Sequence, residues 1–404
     1  MPVIRRDSTP PALVVKYYLY EATATYGFFW PVFTLFLLSR DLTFAQIGLL
    51  GSLSAAASVL GEIPTGYVAD RLGRRVALAL GSALLSVSLV GHVVARGFPA
   101  FAALWVLWGA GRAFRSGSAD AWLYDALEDR LDAADAFTRI RGRGSSVNQT
   151  VSAVSMLTAG ALYAVDDRLP LVLGAVVAAA AIPVVWTFPT PETRAADAES
   201  AAGFAETLRV VRATLTAPAL RRVVLYAAVV FAAVGAVDTF IQPVTTTTLG
   251  FPEAALGPLY AAFSVASAVA GYAAPRIERA LSPRRALAVL PAFVAAALAL
   301  PVVAPLAALP AFVAAKAGRA AVDPILGGHL NDHASAVGRA TLLSAASLLY
   351  ALVRVPAKPA AGALADATTP LCAVAAVGAC LLFAAGLFAV SDASTGTRPQ
   401  NESA

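Results

Sequence analysis

Charge is scarce in this chain. Only 14% of its 404 residues are charged, 58% are apolar and mean hydropathy is +0.71. Soluble globular domains carry about 25% charged residues. A deficit spread over the whole length excludes a soluble domain with one anchor and points to a polytopic membrane protein. Cysteine is almost missing: Cys372 and Cys380 share the last apolar run and can build neither a disulfide framework nor a metal centre. The three histidines, His92, His329 and His333, have no matching metal set, although His329 and His333 stand four residues apart beside Asn331 and Asp332. No H-E-x-x-H, G-x-S-x-G or P-loop pattern occurs, so neither an enzyme nor a bound cofactor is expected. The basic excess, 30 Lys and Arg against 25 Asp and Glu, lies in short connections between apolar runs, which argues against nucleic acid as a partner. The N-terminal stretch MPVIRRDSTPPALVVKYYLYE has no cleavage-site pattern and reads as part of the first apolar run, not as a removable signal.

What remains is long apolar runs. About twelve are legible, near 13–38, 46–68, 76–95, 99–124, 142–165, 170–188, 221–248, 254–275, 285–303, 306–330, 338–363 and 369–390. A span needs roughly 20 apolar residues, and continuous runs favour helices over a barrel of short alternating strands. The expected fold is all-α: twelve transmembrane helices in two pseudo-symmetric six-helix bundles, 1–188 and 221–390. Residues 189–220 form the longest polar stretch and read as a linker with an amphipathic helix around 203–216. Residues 391–404 read as a polar tail. Basic residues alternate sides. One set of connections holds Arg5, Arg6, Lys16, Arg71, Arg74, Arg75, Arg139, Arg141, Arg143 and the linker arginines, and the other only Arg40, Arg96 and Arg168. By the positive-inside rule both termini and the linker are cytoplasmic, in a multi-pass protein of the cell membrane.

The two halves repeat. Gly111-Arg112-Ala113 in the fourth run returns as Gly318-Arg319-Ala320 in the tenth, and Asp125 falls on Asp332. Gly66, Arg71 and the Arg74-Arg75 pair are echoed by Gly271, Arg276 and Arg284-Arg285. Repeats of six spans with a substrate site between them are a transporter architecture. The most distinctive stretch is GEIPTGYVADRLGRR, residues 61–75. Gly66, Asp70, Arg71, Gly73, Arg74 and Arg75 stand there in the spacing G-x-x-x-D-R-x-G-R-R. The glycine is expected to let two helices come close, and the Asp-Arg and Gly-Arg-Arg groups to make a tight basic turn at a membrane surface.

With this loop, twelve runs and an internal repeat, the chain resembles the major facilitator superfamily over nearly all its length. The resemblance implies a cytoplasmic latch. Asp70 would receive a helix terminus and an arginine from another span, and Arg71, Arg74 and Arg75 would contact carboxylates or lipid phosphates. Glu62 would join the latch as partner to Arg112 or Arg115, and Arg276, Arg319 and Asp323 would be its second-half counterpart. The basic cluster could also serve topology alone. Two departures stand out. Arg112 is followed by Gly117, one position later than in the family's fourth-span motif. The fifth run, VSMLTAGALYA, lacks the proline pattern of the antiporter branches, which counts against drug–proton antiport.

Charges inside a bilayer cost about 2.5 kcal/mol or more near a helix centre, so they mark function. Glu21 lies about 13 Å into the first run at the helical rise, where a carboxyl suits proton coupling; it could instead be a hydrogen-bonded packing residue. Asp238 and Arg354, each about 25 Å deep, could pair across the second half with Gln242 and Lys358 one turn beyond. They read either as a substrate-cavity wall or as a structural ion pair. Lys316, Arg319 and Asp323 share one helix face. Asn148, Gln149, Tyr17, Tyr26 and Trp30 are further cavity candidates. The expected function is a monomeric secondary transporter in the lipid bilayer, moving a small-molecule substrate by alternating access. It would be coupled to protons, with efflux of amphipathic compounds one form of it. The alternatives are an uncoupled facilitator, an uptake symporter, or a non-transporting sensor on the same scaffold.

Overall fold

The computed structural model describes residues 11–131, 136–189, 218–332 and 339–395. Most of the expected linker, with the amphipathic helix expected around 203–216, as well as His333 and the tail beyond 395, lies outside the described residues. Among the described residues thirteen α-helices carry the fold: α1 (Ala12–Thr23), α2 (Phe33–Leu38), α3 (Phe44–Leu72), α4 (Arg74–Val94), α5 (Gly97–Leu131), α6 (Phe137–Val165) and α7 (Leu169–Trp186), then α8 (Pro218–Pro243), α9 (Leu256–Leu281), α10 (Pro283–Ala299), α11 (Ala308–Asp332), α12 (Arg339–Ala367) and α13 (Pro370–Thr395). Counting α1 and α2 as one broken segment, six long segments precede the linker and six follow it. The run expected to be continuous over 13–38 is interrupted at 24–32, where Pro31 sits in a 3-10 turn, Trp30–Val32. Proline removes a backbone donor and disfavours the helical conformation of the residue before it.

Seven of the described helical segments are long and apolar enough to cross a membrane: Phe44–Glu62, Arg74–Val94, Leu169–Trp186, Arg221–Thr248, Glu253–Leu281, Pro283–Val302 and Pro370–Val390. The other long segments, α1 with α2, α5, α6, α11 and α12, carry Glu21, Arg112, Arg115, Asn148, Gln149, Arg319, Asp323 and Arg354.

The fold divides into two compact units. The first holds α1, α2, α3 from Leu50 onward, α4 to α7, and the turn Pro252–Ala261; the second holds Thr43–Leu49, α8 and its continuation to Phe251, α9 from Ala262 onward, and α10 to α13. In the first unit, Trp122 of α5 stacks on Phe188 with ring centres 3.8 Å apart, and its indole N–H donates to the Pro189 carbonyl (3.1 Å). Tyr17, Tyr20, Leu78 and Ile140 close a core around this pair. Helices α4 and α5 touch backbone to backbone at Gly81 and Gly111: a Cβ on Gly81 would sit 2.9 Å from the Gly111 carbonyl oxygen. A Cβ on Gly66 would meet nothing within 4 Å, so the close approach expected at Gly66 is made at Gly81 and Gly111 instead.

In the second unit, α8 is the central helix, with 78% of its apolar window buried. Tyr226 stacks on Phe388 at 4.3 Å and donates its hydroxyl to the Leu287 carbonyl at 2.9 Å. Asp366 of α12 accepts from the backbone N–H groups of Phe44 and Ala45 (2.8 and 2.9 Å), satisfying donors that a helix start leaves unpaired.

The sequence repeat survives as geometry. Arg71 lies over the Tyr67 ring at 4.7 Å and Arg276 over the Tyr272 ring at 5.2 Å, each four residues along its own helix. The residue that opens the following helix is left-handed in both halves: Gly73 at φ 88° before α4 and Ser282 at φ 65°, ψ 153° before α10. Glycine adopts this backbone freely, whereas a side chain there costs roughly 1–3 kcal/mol. Ser282→Gly should therefore raise the thermal stability of the detergent-solubilised protein by about 1 kcal/mol, net of glycine's larger unfolded-state entropy. An unchanged or lower melting temperature would count against strain at Ser282.

Candidate functional site

In the first unit, α1, α5 and α6 surround a polar cavity of about 340 Å³. Tyr17, Tyr20 and Glu21 come from α1, Arg112, Arg115, Ser116 and Asp120 from α5, and Arg141, Ser145 and Asn148 from α6. Their spacings put one stripe of each helix on the cavity: Tyr17 with Glu21, Arg112 with Arg115, Ser116 and Asp120, and Arg141 with Ser145 and Asn148. Gly144 lets α6 press on α1, since a Cβ there would overlap the Tyr17 ring and lie 3.1 Å from Glu21 Cγ.

The polar groups are interlocked. Arg115 Nε donates to the Tyr20 hydroxyl at 2.9 Å. Arg141 Nε donates to Asp120 Oδ1 at 2.7 Å in a partly exposed ion pair. Asn148 Nδ2 donates to the Glu21 carbonyl at 3.0 Å. Glu21 lines the cavity beside Tyr17, with Arg115, Asp120 and Arg141 on the same wall. Three guanidinium groups thus meet two carboxylates at this wall, a set that can hold an anion or pass a proton.

Of the residues singled out in the sequence, Glu21, Arg112, Arg115 and Asn148 meet here, with Tyr17 and Tyr26. Gln149 does not line the cavity; its amide donates to Ser145 Oγ at 3.2 Å. Trp30 also lies outside it and packs on Phe33 at 6.4 Å. The partnership expected between Glu62 and Arg112 or Arg115 is not formed: Glu62 is exposed, and no ion pair joins it to either arginine. Arg141 was hidden from sequence reading because the fifth run seemed to begin at 142, whereas α6 begins at Phe137 and carries Arg141 onto the cavity face.

The loop residues divide into two groups. Arg74 forms an ion pair with Asp125 at 2.8 Å. Arg75 lies over the Trp186 ring at 4.5 Å and reaches the Phe188 carbonyl at 3.4 Å. Both basic residues after Gly73 are thus tied to the first unit. Asp70 is exposed, without an ion pair among the described residues, and Arg71 rests on Tyr67 of its own helix. The arginine expected at Asp70 is not found among the described residues, and the side chains at the start of α12, from 339 to 345, lie outside the description.

In the second unit, Asp238 Oδ1 takes Lys316 Nζ as its ion-pair partner at 2.7 Å, where the sequence pointed to Arg354. Gln242, one turn along α8, is buried. Arg319 lies over the Phe231 ring at 5.2 Å, and Asp323 is exposed. Arg276 rests on Tyr272, away from Arg319 in sequence and without an ion pair among the described residues.

A family model described as Major Facilitator Superfamily matches residues 22–357. YxaM of Bacillus subtilis (strain 168), described as an uncharacterized MFS-type transporter, is 26% identical over 149 residues. That match spans 36% of this chain and 36% of YxaM. Among solved structures, a mutant of the nucleoside transporter NupG superposes with a TM-score of 0.78 at 11% identity, over 94% of this chain and 99% of that one. A POT family transporter in complex with 5-aminolevulinic acid superposes with a TM-score of 0.70 at 10% identity, over 95% and 96% of the two chains. At such identities the likeness is one of fold.

The Arg74–Asp125 pair generates a direct expectation. Both side chains are about one-third exposed, at 31% and 33%, so the pair is worth about 1 kcal/mol or less. Arg74→Ala, Asp125→Ala and the double variant, compared by chemical denaturation, should show a coupling of that size and the stabilising sign. Strict additivity would mean that Arg74 holds the loop by something other than this carboxylate.

Proposed function

The chain belongs to the major facilitator superfamily, and from that premise we propose that it is a proton-coupled secondary transporter. It moves a small solute across the cytoplasmic membrane by alternating access, with both termini inside. The observation that carries the coupling is the position of Glu21. It stands on the wall of a polar cavity that Tyr17 and Arg115 also line. A carboxyl on an aqueous cavity can exchange a proton with water, and a charge at that depth is costly unless it is used. Tyr17 and Asn148 fix the orientation of the α1 turn that carries it, and Arg115 is the cation that answers its charge.

The α3–α4 loop is assigned to conformational control rather than to substrate binding. Arg74 and Arg75 anchor the loop to the first unit, and Asp70 stays exposed and available.

Two experiments test these assignments in proteoliposomes, with a substrate found by thermal-shift screening of the full-length protein. Glu21→Gln should abolish the acceleration of flux by an imposed pH gradient and leave substrate binding and exchange largely intact. Flux that ignores the gradient in the native protein, or that still follows it in the variant, removes proton coupling through Glu21. Asp70→Asn should leave the melting temperature unchanged and slow flux severalfold at unaltered substrate affinity, with changed accessibility of a single engineered cysteine at the loop. If flux and accessibility match those of the native protein, the loop is only a topology signal.

A further inference from the structure

Arg112 has no role yet in the cavity of the first unit, and its neighbours in the chain fix where it points. Successive residues of an α-helix turn by about 100°. Gly109 and Ala113 set one face of α5 against α3: a Cβ on Gly109 would overlap the Ser54 carbonyl oxygen, and a Cβ on Gly61 would lie 3.1 Å from Ala113 Cβ. Gly111 sets the opposite face against α4, where a Cβ would lie 3.0 Å from the Gly81 carbonyl oxygen. Arg112 falls on the flank between these two faces, in one stripe with Arg115, Ser116 and Ala119, and that stripe lines the cavity. Backbone contacts on both sides, and not the arginine itself, hold α5 in this rotation.

The other two guanidinium groups of the cavity are engaged, Arg115 Nε with the Tyr20 hydroxyl at 2.9 Å and Arg141 Nε with Asp120 at 2.7 Å. Arg112 is exposed and makes no ion pair, hydrogen bond or ring contact among the described residues. It stands near the middle of the apolar run 99–124, where a charge is most costly. The repeat sharpens the contrast. Arg319, at the same place in the second half, covers the Phe231 ring at 5.2 Å. One copy of the arginine is used in packing, and the other faces a cavity. The Tyr26 hydroxyl is likewise without a hydrogen bond among the described residues, and its ring is held by Trp108, one turn before Arg112, at 5.3 Å. The cavity, about 340 Å³, lies at the small end of ligand pockets, which run from about 300 to 1,000 Å³.

We propose that this cavity binds the transported solute, and that the solute is a small organic anion whose carboxylate or phosphate is held by Arg112. The planar fork of a guanidinium matches either group with two N–H donors. Tyr26 adds a hydroxyl donor, and the rings of Tyr17, Tyr20 and Tyr26 offer apolar surface to the body of the solute. Asp120 is satisfied by Arg141 and does not compete for Arg112. With three guanidinium groups and two carboxylates on its wall, the cavity keeps a positive charge when both carboxylates are ionised. Such a field draws an anion in and turns a cation away. The inference deepens the transport reading above and rests on it for the use of the site, and Glu21 keeps its separate role with the proton.

The test uses the purified full-length protein and matched probes: phenylacetate and phenyl phosphate as anions, phenylacetamide as the neutral isostere and phenethylamine as the cation. An anion should raise the melting temperature where the amide and the amine do not. Arg112→Gln should weaken that anion by about tenfold or more, the loss of a charge-assisted hydrogen bond. Arg143→Gln removes the same charge from α6 outside the cavity lining and should leave anion binding unchanged. Equal stabilisation by the amide or amine, no shift with either anion at millimolar concentration, undiminished binding in Arg112→Gln, or an equal loss in Arg143→Gln would overturn the proposal. So would stabilisation by phosphatidylglycerol in the micelle and by no soluble anion, which would make the cavity a lipid site. The native protein suffices for the probe comparison, so poor folding of a variant cannot rescue the idea. Flux measurements separate the two readings. An anion that binds through Arg112 but is never carried refutes transport through this cavity and leaves the site standing. Carriage of the amine or the amide alone refutes the anion and leaves transport standing.

Discussion

Removing a charge from water is expensive, and that cost organises the whole chain. An intramembrane charge must be paired, hydrated in a cavity, or drawn to an interface along its own aliphatic stem. Seven segments avoid the cost by carrying almost no charge within their apolar windows. The rest concentrate it. In the first unit Arg112, Arg115 and Arg141 meet Glu21 and Asp120 around one cavity. In the second, Lys316 of α11 pairs with Asp238 of α8, and Arg319 lies over the Phe231 ring. The cores are aromatic and aliphatic, built on Trp122 with Phe188 in one unit and on Tyr226 with Phe388 in the other. Packing and polar chemistry are therefore divided between different faces of the same helices.

Much of this was legible in the sequence. The helices follow the long apolar runs because backbone groups in a bilayer must be satisfied within the segment. The repeat was visible as Gly111-Arg112-Ala113 with Gly318-Arg319-Ala320, and the charged loop as a spacing around Gly73. The failures have physical reasons. The first run looked continuous because hydropathy does not see how a proline at 31 interrupts hydrogen bonding. Arg141 looked like a loop residue because the fifth run was started five residues late, and one and a half helical turns decide which face a residue occupies. The partner of Asp238 was sought on α12 at equal depth, and it lies on α11 instead. Depth along a span can be counted from a sequence, but rotation about the helix axis relative to a neighbour cannot.

Gly66 and Ser282 teach opposite lessons about glycine. Gly66 stands in a spacing that suggests close helix packing, yet open space surrounds it, and the tight crossing falls at Gly81 and Gly111. Spacing within one helix is silent about which glycine faces a neighbour. At Ser282 the repeat demands the backbone that Gly73 adopts easily, and the second half keeps that turn with a serine. The turn geometry has outlasted the residue that makes it cheap. The same holds for Tyr67 with Arg71 and Tyr272 with Arg276, where the cation and ring persist although Asp70 has no acidic counterpart beside Arg276.

The division of the loop residues bears on how one short connection can serve a moving protein. A loop that fastened all its charges within one unit would be rigid with that unit and could report on nothing else. Here Arg74 and Arg75 are spent on Asp125, Trp186 and the Phe188 carbonyl, contacts local to the first unit. Asp70 and Arg71 lie on the last turns of α3, before the left-handed break at Gly73, and remain at the surface. The anchored pair fixes where the exposed pair is presented. An exposed carboxylate is individually weak as a salt-bridge partner, which is the strength that the switching contact proposed at Asp70 calls for. The tightly placed ion pairs, Arg74 with Asp125 and Lys316 with Asp238, hold helices of one unit to each other. Paired charges within the unit and an exposed carboxylate at its surface are the arrangement that the conformational role proposed for the loop requires.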